Sequence, residues 1–268
     1  MDGAGGPSRH LMILTRRTAG LAWILALGLM SPGAARGADP GEGPPLRVGH
    51  TPIFPPMVFK KGRELVGVEV DLARGFERHL RRSIQWVEVP WKDQIAALNE
   101  GRTDIIISSM SVTMARGFVV AFTEPYLTID QMALVRRRDL AFYAMGFPVI
   151  PPGPVGVIKG TTGAFLMERE FPGAKIRDFV ETDSAVKALM RKRVDLFVSD
   201  STLIWYLAGV HSGDGLSALP IALGKERVAW AVRKGDDALL QQANQYLSQA
   251  AKDGSLEQVL RRWMAVGP

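Results

Sequence analysis

Cysteine is missing from the 268 residues of this chain. Its absence excludes disulfide bonds, thiolate-bound zinc, iron–sulfur clusters, a cysteine nucleophile and the lipid-carrying cysteine of a bacterial lipoprotein. Histidine occurs only four times, at widely separated positions, so a histidine-rich metal centre is not expected. We therefore predict that the protein binds neither a metal nor an organic cofactor.

The chain also lacks an apolar run of the length that crosses a membrane. Thr18–Met30 is apolar over 13 residues, whereas a transmembrane helix needs about 17–25. Arginines precede this run and small residues follow it, which is the pattern of a secretory signal peptide. We predict that residues 1–38 are a cleaved signal, with the cut left open between Ala35 and Ala38; an uncleaved anchor is the alternative. The mature protein is then expected to be periplasmic, soluble and without a lipid anchor.

The net charge is small once that segment is set aside. Residues 1–38 contain four arginines and one aspartate, so half of the net charge of +6 belongs to them. The remaining positive charge forms no basic run, which gives no reason to expect nucleic-acid binding. The apolar content of 47% is sufficient for a packed core.

Strand-like and helix-like segments alternate along the mature chain. Apolar runs ended by glycine, proline or serine predict strands at Leu46–Gly49, Ile84–Val89, Ile105–Ile107, Val155–Val157, Lys175–Phe179 and Leu196–Ser199. Helical spacing predicts helices between these strands and two more at the end of the chain, the last opened by a capping box of Ser255 and Gln258. This alternation predicts an α/β fold with largely parallel sheets.

One pattern, A-L-x-x-x-R-x-D followed by three apolar residues and serine, occurs twice. The first copy runs from Ala97 to Ser108 and the second from Ala188 to Ser199. Each copy predicts a helix, a turn and a buried strand with hydroxyl groups at its carboxyl end. The repeat predicts two similar lobes, with coincidence within a common helix–strand unit as the alternative. Because ligands bind beyond the carboxyl ends of strands in open α/β sheets, we expect a ligand between the lobes.

The segment Ser108–Arg116 is the main candidate for binding chemistry. It follows a buried strand and opens a short predicted helix at Thr113, where free backbone N–H groups favour a carboxylate or phosphate. Arg116 adds a bidentate partner for a carboxylate, and an ordinary capped surface helix is the alternative. The turn Gly160–Gly163 has the same capability but lacks the lysine and spacing of a phosphate loop.

Three further residues are ambiguous when each is taken singly. Asp200 follows a predicted strand and could pair with an ammonium group, although capping the next helix is the more common role. Phe54 and Trp91 are aromatic residues in loops after strands, where core packing is the more common role.

Several segments together resemble a known family. LRVGHTPIFPPMVF, LVGVEVDLA, PWKDQIAALNEGRTDIIISSMSVTMAR, FTEPYL, GVIKGTTG and VDLFVSDS are similar, in this order, to the bacterial extracellular solute-binding proteins of family 3, the periplasmic receptors of amino acid ABC importers. The resemblance implies a two-lobed periplasmic binding protein-like fold of type II that closes over its ligand. It places the first lobe at 46–127 with a return at 228–268, and the second lobe at 131–225. The two crossing segments then fall near Thr128–Asp130 and Lys225–Arg227.

The resemblance also implies roles for seven residues. These are Phe54, Trp91, Ser109, Ser111, Arg116, Thr162 and Asp200. The guanidinium of Arg116 and the amides of Ser111 and Thr162 would hold the ligand's α-carboxylate. Oxygens of Ser109 and Ser111, together with Asp200, would receive its α-ammonium, while Phe54 and Trp91 would sandwich its side chain. Relatives that bind basic amino acids often have aspartate where this chain has Thr51, so we expect an uncharged amino acid; a basic ligand held by a cation–π contact with Trp91 is the alternative.

The resemblance therefore predicts a monomeric receptor, not an enzyme, that delivers its ligand to an ABC importer permease. Two alternatives remain open. One is a cyclohexadienyl dehydratase-like enzyme on the same scaffold, with Asp200, Glu181 or His50 as its acid. The other is a sensory or wall-remodelling module, against which we count the lack of an appended domain before Pro268.

Overall fold

The computed structural model describes residues 43–145 and 151–264. The predicted signal at 1–38 and the last residues of the predicted return segment lie outside these ranges. The strands are β1 (Leu46–His50), β2 (Ile53–Phe54), β3 (Val58–Lys61), β4 (Glu64–Val66), β5 (Ile84–Glu88), β6 (Ile105–Ile106), β7 (Ala121–Phe122), β8 (Leu127–Arg136), β9 (Val155–Ile158), β10 (Ile176–Phe179), β11 (Leu196–Asp200), β12 (Leu216–Val228) and β13 (Ala231–Val232). The helices are α1 (Val68–Leu80), α2 (Gln94–Asn99), α3 (Met114–Gly117), α4 (Leu140–Ala144), α5 (Thr162–Glu170), α6 (Thr182–Met190), α7 (Ser201–Val210), α8 (Asp237–Lys252) and α9 (Ser255–Met264).

Each lobe of this two-lobed α/β fold is built on one five-stranded sheet. The first sheet has the order β5-β1-β6-β13-β7 and the second the order β10-β9-β11-β8-β12. In each sheet two of the four neighbouring strand pairs are parallel, as predicted, and two are antiparallel. The expectation of largely parallel sheets is therefore only partly correct. The antiparallel pairs include β8 with β12, which run between the lobes in opposite directions.

Helices cover both faces of each sheet. Ile105 and Ile107 lie in one apolar cluster with residues of α1 and α8, whereas Ile106 lies in another with Leu98 of α2. In the second sheet, Val198 packs with residues of α5, whereas its neighbour Phe197 packs with residues of α6 and α7. Burial on both faces explains why these strands are continuous apolar runs and not alternating ones.

The internal repeat corresponds to two equivalent units, α2–β6 and α6–β11. Its aspartates have equivalent roles. Asp104 accepts hydrogen bonds from the guanidinium of Arg47 on β1, and Asp195 accepts one from the guanidinium of Arg136 on β8. Each aspartate thus ties the turn before its strand to a neighbouring strand, which is a structural reason for the repeated residue.

The two predicted crossing segments pair with one another. β8 and β12 form a long antiparallel ladder in which Asp130 lies opposite Lys225 and Thr128 lies opposite Arg227. This ladder connects the second sheet to the first lobe at Leu127 and Val228. Within the residues that the structure describes, no helix is long and apolar enough to span a bilayer.

The capping box predicted for the last helix does not form. The hydroxyl of Ser255 donates to the carbonyl of Ala250 at 3.4 Å, and the carboxylate of Asp253 accepts from the N–H of Ser255 at 2.9 Å. The prediction was wrong because Asp253 already satisfies a free N–H of the first turn.

Candidate functional site

The polar ends of β6 and β11 meet between the two lobes. Ser109 and Ser111 follow β6 in the first lobe, Asp200 ends β11 in the second, and Thr162 begins α5 beside it. The hydroxyl oxygens of Ser111 and Thr162 are 3.5 Å apart, across the gap between the lobes. Hydroxyl groups from the two lobes are therefore close together in the region where the repeat predicts a ligand.

Arg116 is fixed at the centre of this site. The hydroxyl of Thr113 accepts the N–H of Arg116 at 3.2 Å and caps α3, as predicted. Its guanidinium donates to the carbonyl of Ser111 at 2.8 Å and to the carbonyl of Gly160 in the second lobe at 3.3 Å. It also lies 5.2 Å from the ring centre of Trp91, a cation–π distance. Arg116 is only 9% exposed, and this burial lowers the pKa of its guanidinium while Glu226 and Asp200 raise it.

The two predicted aromatic residues contact each other. Phe54 and Trp91 meet edge to face with ring centres 5.2 Å apart, which is too close for another ring to fit between them. The indole N–H of Trp91 donates to the carbonyl of Gly160 at 3.0 Å, which joins the two lobes. Phe54 lies in the apolar cluster of the second lobe with Ile158. Phe54 therefore packs in the core, which is the alternative role that its sequence position offered.

Asp200 is buried close enough to Arg116 and Glu226 to interact with both electrostatically. It occupies the position before α7, but its carboxylate makes no capping hydrogen bond. It instead accepts from the side-chain amide of Gln131 on β8 at 2.6 Å, so the capping interpretation is wrong. Burial raises the pKa of Asp200 to about 7, and the carboxylate of Glu226 adds to this effect, whereas Gln131 and Arg116 oppose it.

Glu69 is a further buried acid that sequence analysis did not select. Its carboxylate accepts the N–H of Ser109 at 2.6 Å and the hydroxyl of Tyr126 at 2.6 Å. Ser109 has a left-handed backbone with φ of 54°, and Glu69 holds it there. Burial raises the pKa of Glu69 to about 7 despite these two donors. The sequence does contain a signal for Glu69, because this acid lies on the apolar face predicted for α1, next to Val68.

Ser109 presents an unsatisfied group at this point. Its hydroxyl oxygen is buried and has no hydrogen-bond partner among the described residues. Buried polar atoms are normally paired. The unpaired hydroxyl of Ser109 is therefore an exception to this rule, next to the site.

Glu226 is the second acid that sequence analysis missed. One of its carboxylate oxygens accepts from the hydroxyl of Ser111 at 2.6 Å and from the hydroxyl of Thr162 at 2.7 Å. It lies on β12, in a segment interpreted from sequence only as a connection. No local pattern distinguishes it from its charged neighbours Lys225 and Arg227.

Two cavities flank the contact between the lobes. The first, of about 870 Å³, has Thr51, Trp91 and Ile158 in its wall. The second, of about 1190 Å³, has Arg116, Thr162 and Glu226 in its wall together with more exposed residues. Among the described residues, no group of three or more acidic or histidine side chains is placed to hold a metal ion.

Residues 46–266 match the profile of the bacterial extracellular solute-binding proteins, family 3. The chain belongs to this family. Among curated members, it is 27% identical over 237 residues to a probable histidine-binding protein of Neisseria gonorrhoeae, which covers 87% of each chain.

Solved structures of similar proteins agree with family 3 membership. An ancestral amino acid-binding protein, described as a precursor of cyclohexadienyl dehydratase, is 30% identical with a TM-score of 0.75, covering 83% of this chain and 95% of that one. An ancestral arginine-binding protein bound to arginine is 27% identical with a TM-score of 0.75, covering 84% and 98%. The two-lobed fold expected from the resemblance is confirmed.

Proposed function

We propose that this family 3 protein is a periplasmic receptor that closes over a small amino acid-like ligand and delivers it to the permease of an ABC importer. The observation that carries the proposal is the pair of buried, opposite charges on Arg116 and Asp200, which come from different lobes. A zwitterionic ligand needs a cation for its carboxylate and an anion for its ammonium group, so only a closed cleft satisfies both of its ends.

The proposed roles follow from where the groups lie. Arg116, with the amides of Ser111 and Thr162, would bind the carboxylate of the ligand. Asp200 would bind the ammonium group, with the unpaired hydroxyl of Ser109 beside it. Phe54 and Trp91 would cover the side chain after moving apart. These contacts come from both lobes, which supports binding by closure.

The proposed lobes are 46–127 with the return at 228–268, and 131–225. The ladder of β8 and β12 would then be the hinge, because both connections between the lobes run through it. Closure about two paired strands needs only small backbone rotations near Thr128–Asp130 and Lys225–Arg227.

An uncharged ligand side chain is supported by the cavity beside Trp91. Thr51 lies in its wall without a carboxylate, and the charged groups around it are three lysines and two glutamates. This lining has no excess of negative charge that would stabilise a basic side chain. The relatives named for histidine and arginine support an amino acid as the ligand class.

The structure also offers one observation for the enzymatic alternative. Asp200 is a buried carboxyl with a pKa near 7, as a general acid requires. Incubation of the protein with prephenate or arogenate tests this directly. We expect no turnover, because the similar structure that precedes the dehydratases is itself named as an amino acid-binding protein.

A thermal-shift panel of the standard amino acids tests the receptor proposal. A ligand at about 100 times its Kd adds about 2.7 kcal/mol of stability, which corresponds to about 5–10 °C for a chain of this size. We expect such a shift with at least one uncharged amino acid. A panel without any shift would contradict the receptor proposal, and a shift with lysine or arginine alone would contradict only the uncharged side chain.

A further inference from the structure

The short strand β2 joins the first lobe to the second through its backbone. The hydroxyl of Thr182, at the start of α6, donates to the carbonyl oxygen of Ile53 at 2.7 Å. A carbonyl oxygen only accepts, so the hydroxyl is necessarily the donor. Thr182 is only 4% exposed, so this hydrogen bond is shielded from water. We call the contact between Thr182 and Ile53 the clasp.

Apolar packing of β2 against the second lobe accompanies the clasp. Phe54 is buried in the apolar cluster of the second lobe together with Ala185 and Val186 of α6, and Ile53 packs against the same cluster. The strand therefore meets α6 through both its main chain and its side chains.

Prolines restrict the backbone on either side of β2. Pro52 precedes the strand, and Pro55 and Pro56 follow it, and each proline ring holds its own φ near −65°. The strand also pairs with β3 in a three-stranded sheet. The carbonyl of Ile53 is thus held in place by the first lobe itself. Little conformational freedom is then lost when Thr182 binds it, which favours the contact.

The clasp uses none of the groups proposed to bind the carboxylate or the ammonium of the ligand. Its two atoms belong to different lobes, so it forms only when the lobes are together. The apparent affinity of a receptor is reduced by the fraction of molecules in the form that binds. A contact that raises this fraction therefore strengthens the binding of every ligand by the same factor.

We propose that Thr182 is a positioning residue that holds the lobes together through the carbonyl of Ile53 and sets the affinity of the receptor without selecting among ligands. The inference rests on the proposed function, since it concerns closure of the same cleft. Arg116 and Asp200 then determine which ligands bind, whereas Thr182 determines how much of their binding energy closure requires.

The separation of the lobes is measurable with spin labels, because the chain has no native cysteine. Lys60 and Lys159 are exposed and lie in the wall of the cavity beside Trp91, one on each lobe. Lys60→Cys and Lys159→Cys, introduced together, therefore place one label on either side of the cleft. Pulsed double electron–electron resonance then gives the distribution of distances between the labels in the absence of ligand.

The variant Thr182→Val removes the hydroxyl and keeps the branched shape of the side chain. We expect it to shift the distribution toward longer distances. Thr182→Ser keeps the hydroxyl and should restore the wild-type distribution. Ser184→Ala, at an exposed hydroxyl on the same helix, is the matched control and should also give the wild-type distribution.

Calorimetric titration with the standard amino acids gives the second measurement. We expect Thr182→Val to raise the Kd of each amino acid that the wild-type protein binds by one common factor, about three- to tenfold, the usual value of a single hydrogen bond. Thr182→Ser and Ser184→Ala should bind like the wild type.

The outcomes separate the two proposals. An unchanged distance distribution in Thr182→Val overturns the clasp while the receptor function stands. Losses of affinity that differ by more than about threefold between amino acids also overturn it, because Thr182 would then act on the ligand itself. If the wild-type protein binds no amino acid, the receptor function fails, and the distances still decide whether Thr182 holds the lobes together. Circular dichroism checks that each variant is folded, and Thr182→Ala, with the same expected direction, replaces Thr182→Val if that variant is not.

Discussion

At the scale of single residues, the site combines side chains that are individually unremarkable. An arginine after a capped turn and an aspartate before a helix each have common structural roles. Asp200 does not adopt the common role, because its carboxylate does not cap α7. Burial distinguishes Arg116 and Asp200 from residues that have only these common roles. Arg116 is 9% and Asp200 8% exposed, and burial of opposite charges near one cleft is costly unless a bound group or each other's field compensates.

Replacement of Arg116 by alanine is expected to abolish ligand binding and leave the fold intact. Loss of a buried, charge-assisted contact costs about 2–5 kcal/mol, which is more than tenfold in affinity. Calorimetry with the ligand identified in the amino acid panel measures this. Arg102→Ala, at an exposed arginine paired with Glu100, is the control and should bind normally. Wild-type affinity in Arg116→Ala would show that the carboxylate is held elsewhere.

Replacement of Asp200 by asparagine is expected to weaken binding of the α-amino acid ligand selectively. Asp200 would interact with the ammonium group, so an analogue without the amino group should bind the variant and the wild type alike. Asparagine preserves the size of the side chain, which separates charge from packing. Paired titrations of the two compounds give the comparison, and an equal loss for both would mean that Asp200 acts only through Gln131.

At the scale of secondary-structure elements, most of the fold is predictable because buried strands and amphipathic helices leave periodic signals. The strands around β1 and β6 and the cap at Thr113 follow from such local patterns. Glu69 and Glu226 could not be assigned in this way. Their roles depend on Ser109 and on Thr162, which are 40 and 64 residues away in the chain, and no local pattern encodes these contacts.

The packing of α1 against α8 gives a prediction at this scale. A Cβ at Gly75 would lie 2.1 Å from the phenol oxygen of Tyr246 on α8. Gly75→Ala should therefore lower the free energy of unfolding by about 1–3 kcal/mol, the usual cost of overpacking. Gly209→Ala on α7, where a Cβ meets no atom within 4 Å, should be neutral or stabilising by about 0.4–1 kcal/mol. Urea unfolding measures both, and equal effects would contradict the close approach of α1 and α8.

At the scale of the whole molecule, two acids are kept inside the protein at the expense of its stability. Burial raises the pKa values of Glu69 and Asp200 to about 7. In the unfolded chain both titrate near 4. Between these values the folded protein binds more protons than the unfolded chain, so its stability falls as the pH rises. Burial lowers the pKa of His50 to about 4, which gives the opposite trend up to about pH 6.5.

The balance of these groups predicts how stability depends on pH in the absence of ligand. Each group contributes about 1.4 kcal/mol per pH unit, so two acids against one histidine leave a net loss of about this size per unit between pH 5 and 6.5. The loss should stay near this size up to about pH 6.5 and level off above pH 7, where the two acids are ionised in the folded protein as well. Urea unfolding at constant ionic strength from pH 5 to 8 measures the slope. Asp200→Asn removes one acid and should bring the slope close to zero between pH 5 and 6.5, because Glu69 and His50 then cancel. A wild-type protein that becomes more stable from pH 5 to 7 would show that these carboxyl groups ionise at low cost. It would also contradict the electrostatic argument that the charged groups of a ligand compensate the buried charges of the cleft.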